Sequence, residues 1–127
     1  MTVGRMKTRA EFLAARRGRR LNGPFFFVEA LDRGDGREPR FGLTVTKKVG
    51  NAVERNRIRR RLREAIRLGA GAEMAVGHDY VIVARRDVLG VPFASLTKEL
   101  GRRLAHSGRN APRPPSGTSD RRPLGKE

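Results

Sequence analysis

Between Lys47 and Leu68, Ile58, Leu62, Ala65 and Ile66 recur at i, i+4, i+7 and i+8, the spacing of one helix face. Asn51 stands where an N-cap belongs, and Glu54 three residues later gives a capping-box start. Gly69 and Gly71 supply the stop. A shorter helix is predicted over Arg9–Arg16, with Thr8 as its cap, Glu11 three residues on, and Phe12 and Leu13 as apolar contacts. Two segments show a strand pattern instead. Phe25–Leu31 is rich in aromatic residues, and its three successive Phe side chains must point to both faces of a sheet. Phe41–Thr46 alternates Phe, Leu and Val against Gly, Thr and Thr. The polar connection Asp32–Pro39 between them predicts an antiparallel hairpin. Tyr80–Ala84 is continuously apolar, which predicts a central strand covered on both faces. Strand, helix and strand in this order imply parallel pairing of 41–46 with 80–84. Phe93, Leu96, Leu100 and Leu104 mark a final amphipathic helix. Residues 1–5 read as loose and 69–79 as a flexible Gly- and Ala-rich connection.

Charge changes the reading of the central helix. The stretch Lys47–Leu68 holds nine of the 29 Lys and Arg and two acids, Glu54 and Glu64. Helical geometry sets Asn56, Arg60, Arg63 and Arg67 opposite the apolar stripe. Arg55 and Arg59 fall on one flank, Arg57 and Arg61 on the other. Self-repulsion on this scale exceeds what solubility requires and fits a polyanionic partner. The whole chain agrees, with a formal net charge of +16 over 127 residues and a pI near 11.8. That balance points to nucleic acid or an anionic membrane surface. No apolar run is long enough to span a bilayer, and the N-terminus has no secretory h-region. The chain has no cysteine, hence no disulfide framework or thiolate site, which is compatible with a cytoplasmic protein. The length suits one domain, 1–106, followed by a basic Pro/Gly/Ser-rich tail, 107–127, expected to be disordered.

Catalytic constellations are missing. His78 and His106 lack partners at ligand spacing, and the acids are scattered, mostly next to arginines. Gly50-Asn51 opens a helix without the P-loop pattern, although the amides at Gly50–Val53 are suited to weak anion binding. The chain therefore reads as a nucleic-acid binder without metal ligands or catalytic residues of its own. Phe12 has two readings, as a core anchor or as a stacking platform for a base. The competing classes are a structural RNA or chromosomal binder and a protein-only nuclease, the latter disfavoured by the absent acid cluster.

The residues Lys47-Lys48-Val49-Gly50-Asn51-Ala52-Val53-Glu54-Arg55-Asn56-Arg57-Ile58-Arg59-Arg60 closely resemble the signature of the bacterial ribonuclease P protein subunit. Met6–Phe12 is similar to that family's N-terminal helix, and Phe41–Thr46 and Asp79–Arg86 are similar to the strands flanking its motif. The resemblance covers about residues 5–105. It implies an α+β domain ordered α-β-β-β-α-β-α, like one domain of ribosomal protein S5, with a central cleft and a left-handed βαβ crossover against the usual hand. It implies endonucleolytic removal of the 5′ leader from precursor tRNA, with the chemistry on an RNA subunit that binds Mg²⁺. It places Lys47, Lys48, Asn51, Arg55, Asn56, Arg57, Arg59, Arg60 and Arg63 against that catalytic RNA. Phe12 would line the leader cleft with Arg9 and Arg16, the last standing where some members carry a second aromatic. The rings of Phe25–Phe27 are a further source of that surface. No membrane and no small-molecule substrate is implied.

Overall fold

His78–Ala84 (β5) lies at the centre of a five-stranded mixed sheet of order β1-β4-β5-β3-β2 in the computed structural model, which describes residues 3–107. The other strands are β1 (Gly4–Arg5), β2 (Arg19–Asn22), β3 (Phe26–Asp32) and β4 (Arg40–Thr44). Three helices complete an α+β domain: α1 (Arg9–Ala15), α2 (Ala52–Leu68) and α3 (Phe93–Ser107). β5 runs antiparallel to β3 from Phe26↔Ala84 to Asp32↔His78, and parallel to β4 from Arg40↔Asp79 to Thr44↔Val83. Its unbroken apolar sequence follows from this place, because both of its faces are covered.

The two faces have separate cores. Phe26, Val28, Ala30, Tyr80, Ile82 and Ala84 meet Ile58, Leu62, Ala65 and Ile66 of α2 and Leu96, Leu100 and Leu104 of α3. The α2 stripe is the one its sequence period predicts, and each fully buried Leu or Ile contributes about 1.5–3 kcal/mol. On the other face Val81 packs with Met6, Ala15, Phe12, Leu31 and Val83 beneath α1. Both capping boxes form. The Thr8 and Asn51 side chains accept from the N–H groups of Glu11 and Glu54, whose carboxylates accept from the cap N–H groups in return.

Several expectations need correction. Phe25–Leu31 and Phe41–Thr46 do not form a hairpin: β5 inserts between β3 and β4, so the long Asp32–Pro39 connection bridges strands that do not pair. Arg19–Asn22 is an edge strand antiparallel to β3, although its arginines hide the strand pattern. Gly4–Arg5 is not loose but pairs with β4. The 69–79 connection is ordered by burial of Ala70, Gly71 and Met74 and by the Ala75 N–H donating to the Tyr80 hydroxyl at 2.9 Å. α3 takes in Ser107, and residues 108–127 of the tail lie outside the described residues.

One ion network ties the sheet to α1. Asp79 is 2% exposed, and its carboxylate accepts from Arg33 Nη1 at 2.5 Å and from Arg40 Nη2 at 2.7 Å. Arg40 Nη1 continues to Glu11 Oε2 at 2.9 Å, and the Arg33 Nε donates to Asp35 at 2.9 Å. Removing the central carboxylate leaves two partly buried guanidinium groups facing each other. Asp79→Ala is expected to destabilise the fold by about 3 kcal/mol, read as a lower urea midpoint at unchanged slope. A midpoint within error of the parent would show that solvent replaces the carboxylate at no cost.

Candidate nucleic-acid interface

The parallel pair β4 and β5 directs both carboxyl ends to one side of the sheet. Lys47 and Lys48 follow β4 there, in a 3-10 turn of Lys47–Val49, and Arg85 and Arg86 follow β5. The N-terminus of α2 is joined to this end. Arg86 Nη1 donates to the Val49 carbonyl at 2.9 Å, and Arg86 Nη2 lies 2.7 Å from Glu54 Oε2. The Arg86 guanidinium and the Asn51 N–H hold the Glu54 carboxyl at about 2, well below its ordinary value of 4.5. Within the stretch Gly50–Val53, where weak anion binding is expected, the Glu54 carboxylate already accepts from the Asn51 N–H at 3.0 Å.

Along α2 the arginines divide into fixed and free. Arg61 is half-buried and its guanidinium donates to the carbonyls of Val88, Leu89 and Val91, clamping the turn before α3. Arg67 pairs with Glu64 at 2.6 Å. Glu54 and Glu64 being the acids of the stretch, Lys47, Lys48, Arg57, Arg59, Arg60 and Arg63 have no carboxylate at ion-pair distance among the described residues. Asn56, Arg57, Arg60 and Arg63 are exposed, as are Lys47 and Lys48, while Arg55 and Arg59 lie half-buried on one flank. Asn51 is exposed, but its side-chain oxygen is engaged as the cap. The Arg55 Nε is buried with no hydrogen-bond partner among the described residues.

The α1 face adds apolar surface to the same end. Register sets Thr44, Val83 and Phe27 in one row across β4, β5 and β3, beside the row Gly42, Val81 and Glu29. α1 covers the second row. The Phe12 ring lies on Gly42 so closely that a Cβ there would be 2.4 Å from it. Phe12 is therefore a packing residue whose ring stays half-exposed. Arg9 and Arg16 are exposed at the two ends of α1. Of the Phe triplet, Phe26 is buried in the α2–α3 core and Phe25 packs against that core. Phe27 alternates to the α1 face, half-exposed, with the Arg20 guanidinium 3.7 Å from its ring centroid. Sequence reasoning did not single out Arg20, because its strand was hidden. The signal that identifies it is its register, opposite Glu29 on the α1 face.

Comparison with known proteins agrees with the motif. The family model "Ribonuclease P" matches residues 2–107. The chain belongs to the ribonuclease P protein family. A ribonuclease P protein component of Brucella suis is 53% identical over 112 residues, covering 82% of this chain and 79% of that protein. One of Bartonella quintana is 49% identical over 106 residues, covering 79% and 80%. Among solved structures, the RNase P protein of Staphylococcus aureus superposes with a TM-score of 0.66 at 27% identity, covering 79% of this chain and 91% of that one. The Thermotoga maritima protein gives 0.66 and 27%, covering 77% and 91%. Membership makes the chain a component of a ribonucleoprotein nuclease in which RNA is the catalyst. No helix among the described residues is long and apolar enough to cross a membrane.

The depressed Glu54 carboxyl gives a pH dependence with a definite sign. A carboxyl lowered on folding stabilises the fold above its unfolded value and loses that contribution as pH falls through the folded value. Glu11 shifts in the same direction through the Lys7 and Thr8 N–H groups. Thermal midpoints should therefore drop between pH 4.5 and about 2. Glu54→Gln should lower the midpoint at neutral pH and lessen the drop on acidification. A parallel pH curve for the variant would show that Glu54 is not a source of the acid response.

Proposed function

We propose that this chain is the subunit that grips the catalytic RNA of ribonuclease P with the outer face of α2 and tracks the 5′ leader of precursor tRNA across the α1 face of the sheet. The observation that carries the reading is the division of arginines on α2. Its acids and Arg61 are bound internally, while Lys47, Lys48, Arg57, Arg60 and Arg63 face outward and Arg59 lies half-buried on a flank, all without a carboxylate at ion-pair distance among the described residues. Arginine forks bond phosphate oxygens in pairs, and a helical comb of them reads the shape of folded RNA. Asn51, Arg55 and Asn56 complete that surface in this reading. The row Thr44–Val83–Phe27, bordered by Phe12 and Arg20, offers a floor on which single-stranded bases lie without sequence demand, and Arg9 and Arg16 supply cations to their phosphates. Among the described residues no group of three or more His, Cys, Asp and Glu could hold a metal ion. In this reading Mg²⁺ belongs mainly to the RNA subunit, and the protein positions the substrate.

The decisive experiment is 5′ processing of precursor tRNA at low Mg²⁺ with protein alone, catalytic RNA alone, and both. Cleavage is expected only, or mainly, with both. Cleavage by the protein alone would make it a nuclease in its own right, and no gain from adding it would leave it a structural RNA binder. Holoenzyme assembly should weaken with salt, with a log–log slope of about −0.7 to −0.9 per phosphate neutralised, and weaken further in Arg59→Ala and Arg60→Ala.

The two surfaces are separable by mutation. Phe12→Ala removes the ring, and Gly42→Ala displaces it by placing a Cβ beneath it. Both should reduce the preference for precursor over mature tRNA by about five- to tenfold, the value of one lost base stack, while assembly with the RNA stays near the parent level. An unchanged preference in both variants would remove Phe12 from the leader path.

A further inference from the structure

A cavity of about 660 Å³ lies between β1 and the C-terminal half of α2, away from the α1 face. Phe41 and Ile66 line it on the apolar side, Gly69, Gly71 and Ala72 form a wall, and Arg5, Arg63 and Arg67 lie at its polar side together with Glu64, whose carboxylate is paired with Arg67. Small-ligand sites have this size, about 300–1,000 Å³, and this mixture of apolar lining and a few polar groups. Arg67 is held by Glu64, whereas Arg5 and Arg63 have no carboxylate at ion-pair distance among the described residues. The Arg5 guanidinium stands over the Phe41 ring, 5.9 Å from its centroid. Gly4 and Met6 donate their N–H groups to Pro39 and Phe41 of the neighbouring chain segment, so strand alternation turns the Arg5 N–H and carbonyl outward along the sheet edge. Leu68 adds an exposed apolar lip, 56% accessible.

An aromatic and aliphatic floor, an outward backbone donor and acceptor, and two unpaired guanidinium groups match the three parts of a nucleotide: base face, base edge and phosphate. We propose that this cavity takes one unstacked nucleotide of a bound RNA, with its base against Phe41 and Ile66 and its phosphate between Arg5 and Arg63. The inference rests on the RNA-binding reading of α2. Arg63 belongs both to the cavity and to the cationic face of that helix, so a strand held on the face passes the cavity mouth. That continuity favours a nucleotide within RNA over a free one.

The test uses the full chain and two RNA hairpins, one fully paired and one with a single bulged adenosine in the same stem, titrated by fluorescence anisotropy at fixed salt. The bulged hairpin should bind about tenfold tighter, the effect of one stacked base. Ala72→Trp fills the cavity from an exposed position, and Arg5→Ala removes one phosphate partner and the cation over Phe41. Each should abolish the preference for the bulge. Unchanged affinity of Ala72→Trp for the paired hairpin shows that the variant is folded, and Arg5→Ala gives an independent answer if it is not. Equal affinity of the parent for both hairpins would overturn the proposal, as would a preference that survives both variants. Adenosine monophosphate binding more tightly than the bulged hairpin would also overturn it, by making this a free-nucleotide site. Failure of either hairpin to bind at low salt would instead remove the RNA-binding reading beneath it.

Discussion

The buried carboxylate of Asp79 is the fastening on which the working surfaces depend. It joins Arg33, which closes the loop after β3, to Arg40, which opens β4, and through Arg40 it reaches Glu11 at the start of α1. In a chain of net charge +16, acids are scarce and cations repel. A carboxylate that satisfies two guanidinium groups at once does more than neutralise them. It fixes three chain segments relative to one another, and it does so at the end of the sheet opposite the α2 N-terminus. Breaking such a network is costly because the remaining charges stay partly buried.

The same economy explains which arginines are free to meet a partner. Some of the described acids pair with arginines at structural joints, Glu54 with Arg86 between β5 and α2 and Glu11 with Arg40 between α1 and β4, while Glu64 with Arg67 and Glu99 with Arg103 pair within single helices. Backbone carbonyls take others, as with Arg61 before α3, Arg103 at Asn22 and Arg85 at Gly23. Among the described cations without a carboxylate at ion-pair distance, Arg57, Arg59, Arg60 and Arg63 share α2, and others stand around α1 and β2. Residue type alone does not separate the two groups, because Arg60 and Arg61 are neighbours in sequence with opposite fates.

That is also why the fold and the site were unequally legible. The helical period of Ile58, Leu62, Ala65 and Ile66 and the caps at Thr8 and Asn51 are local signals, and the structure has them where the residues put them. The apolar run of β5 announced a covered strand. The insertion of β5 between β3 and β4 had no local signal, since pairing partners are chosen by non-local packing and proximity in sequence favoured a hairpin. The edge strand β2 was masked because Arg19 and Arg20 interrupt any apolar alternation, and an edge strand with one solvated side tolerates that. Phe27 could not be told from Phe25 and Phe26 by type. Its register separates them, one residue placing a ring in the core and the next on the open face.

The openness of that face follows from where α1 is pinned. At one end of the helix, Glu11 is held by Arg40 on β4. At the other, the turn at Gly18 comes so close to β3 that a Cβ there would lie 1.9 Å from the Ala30 carbonyl oxygen. Both anchors lie toward the Asp79 end of the sheet, with Ala30 paired to Tyr80 and Arg40 to Asp79. α1 therefore crosses the strands at that end and covers Gly42 and Val81. Thr44, Val83 and Phe27, in the next row beside the basic start of α2, are covered only in part and stay half-exposed. A larger residue at position 18 would force the turn away from β3 and free α1 to shift, so a glycine on the far side of the sheet from the outer face of α2 sets how much of the α1 face a partner can reach.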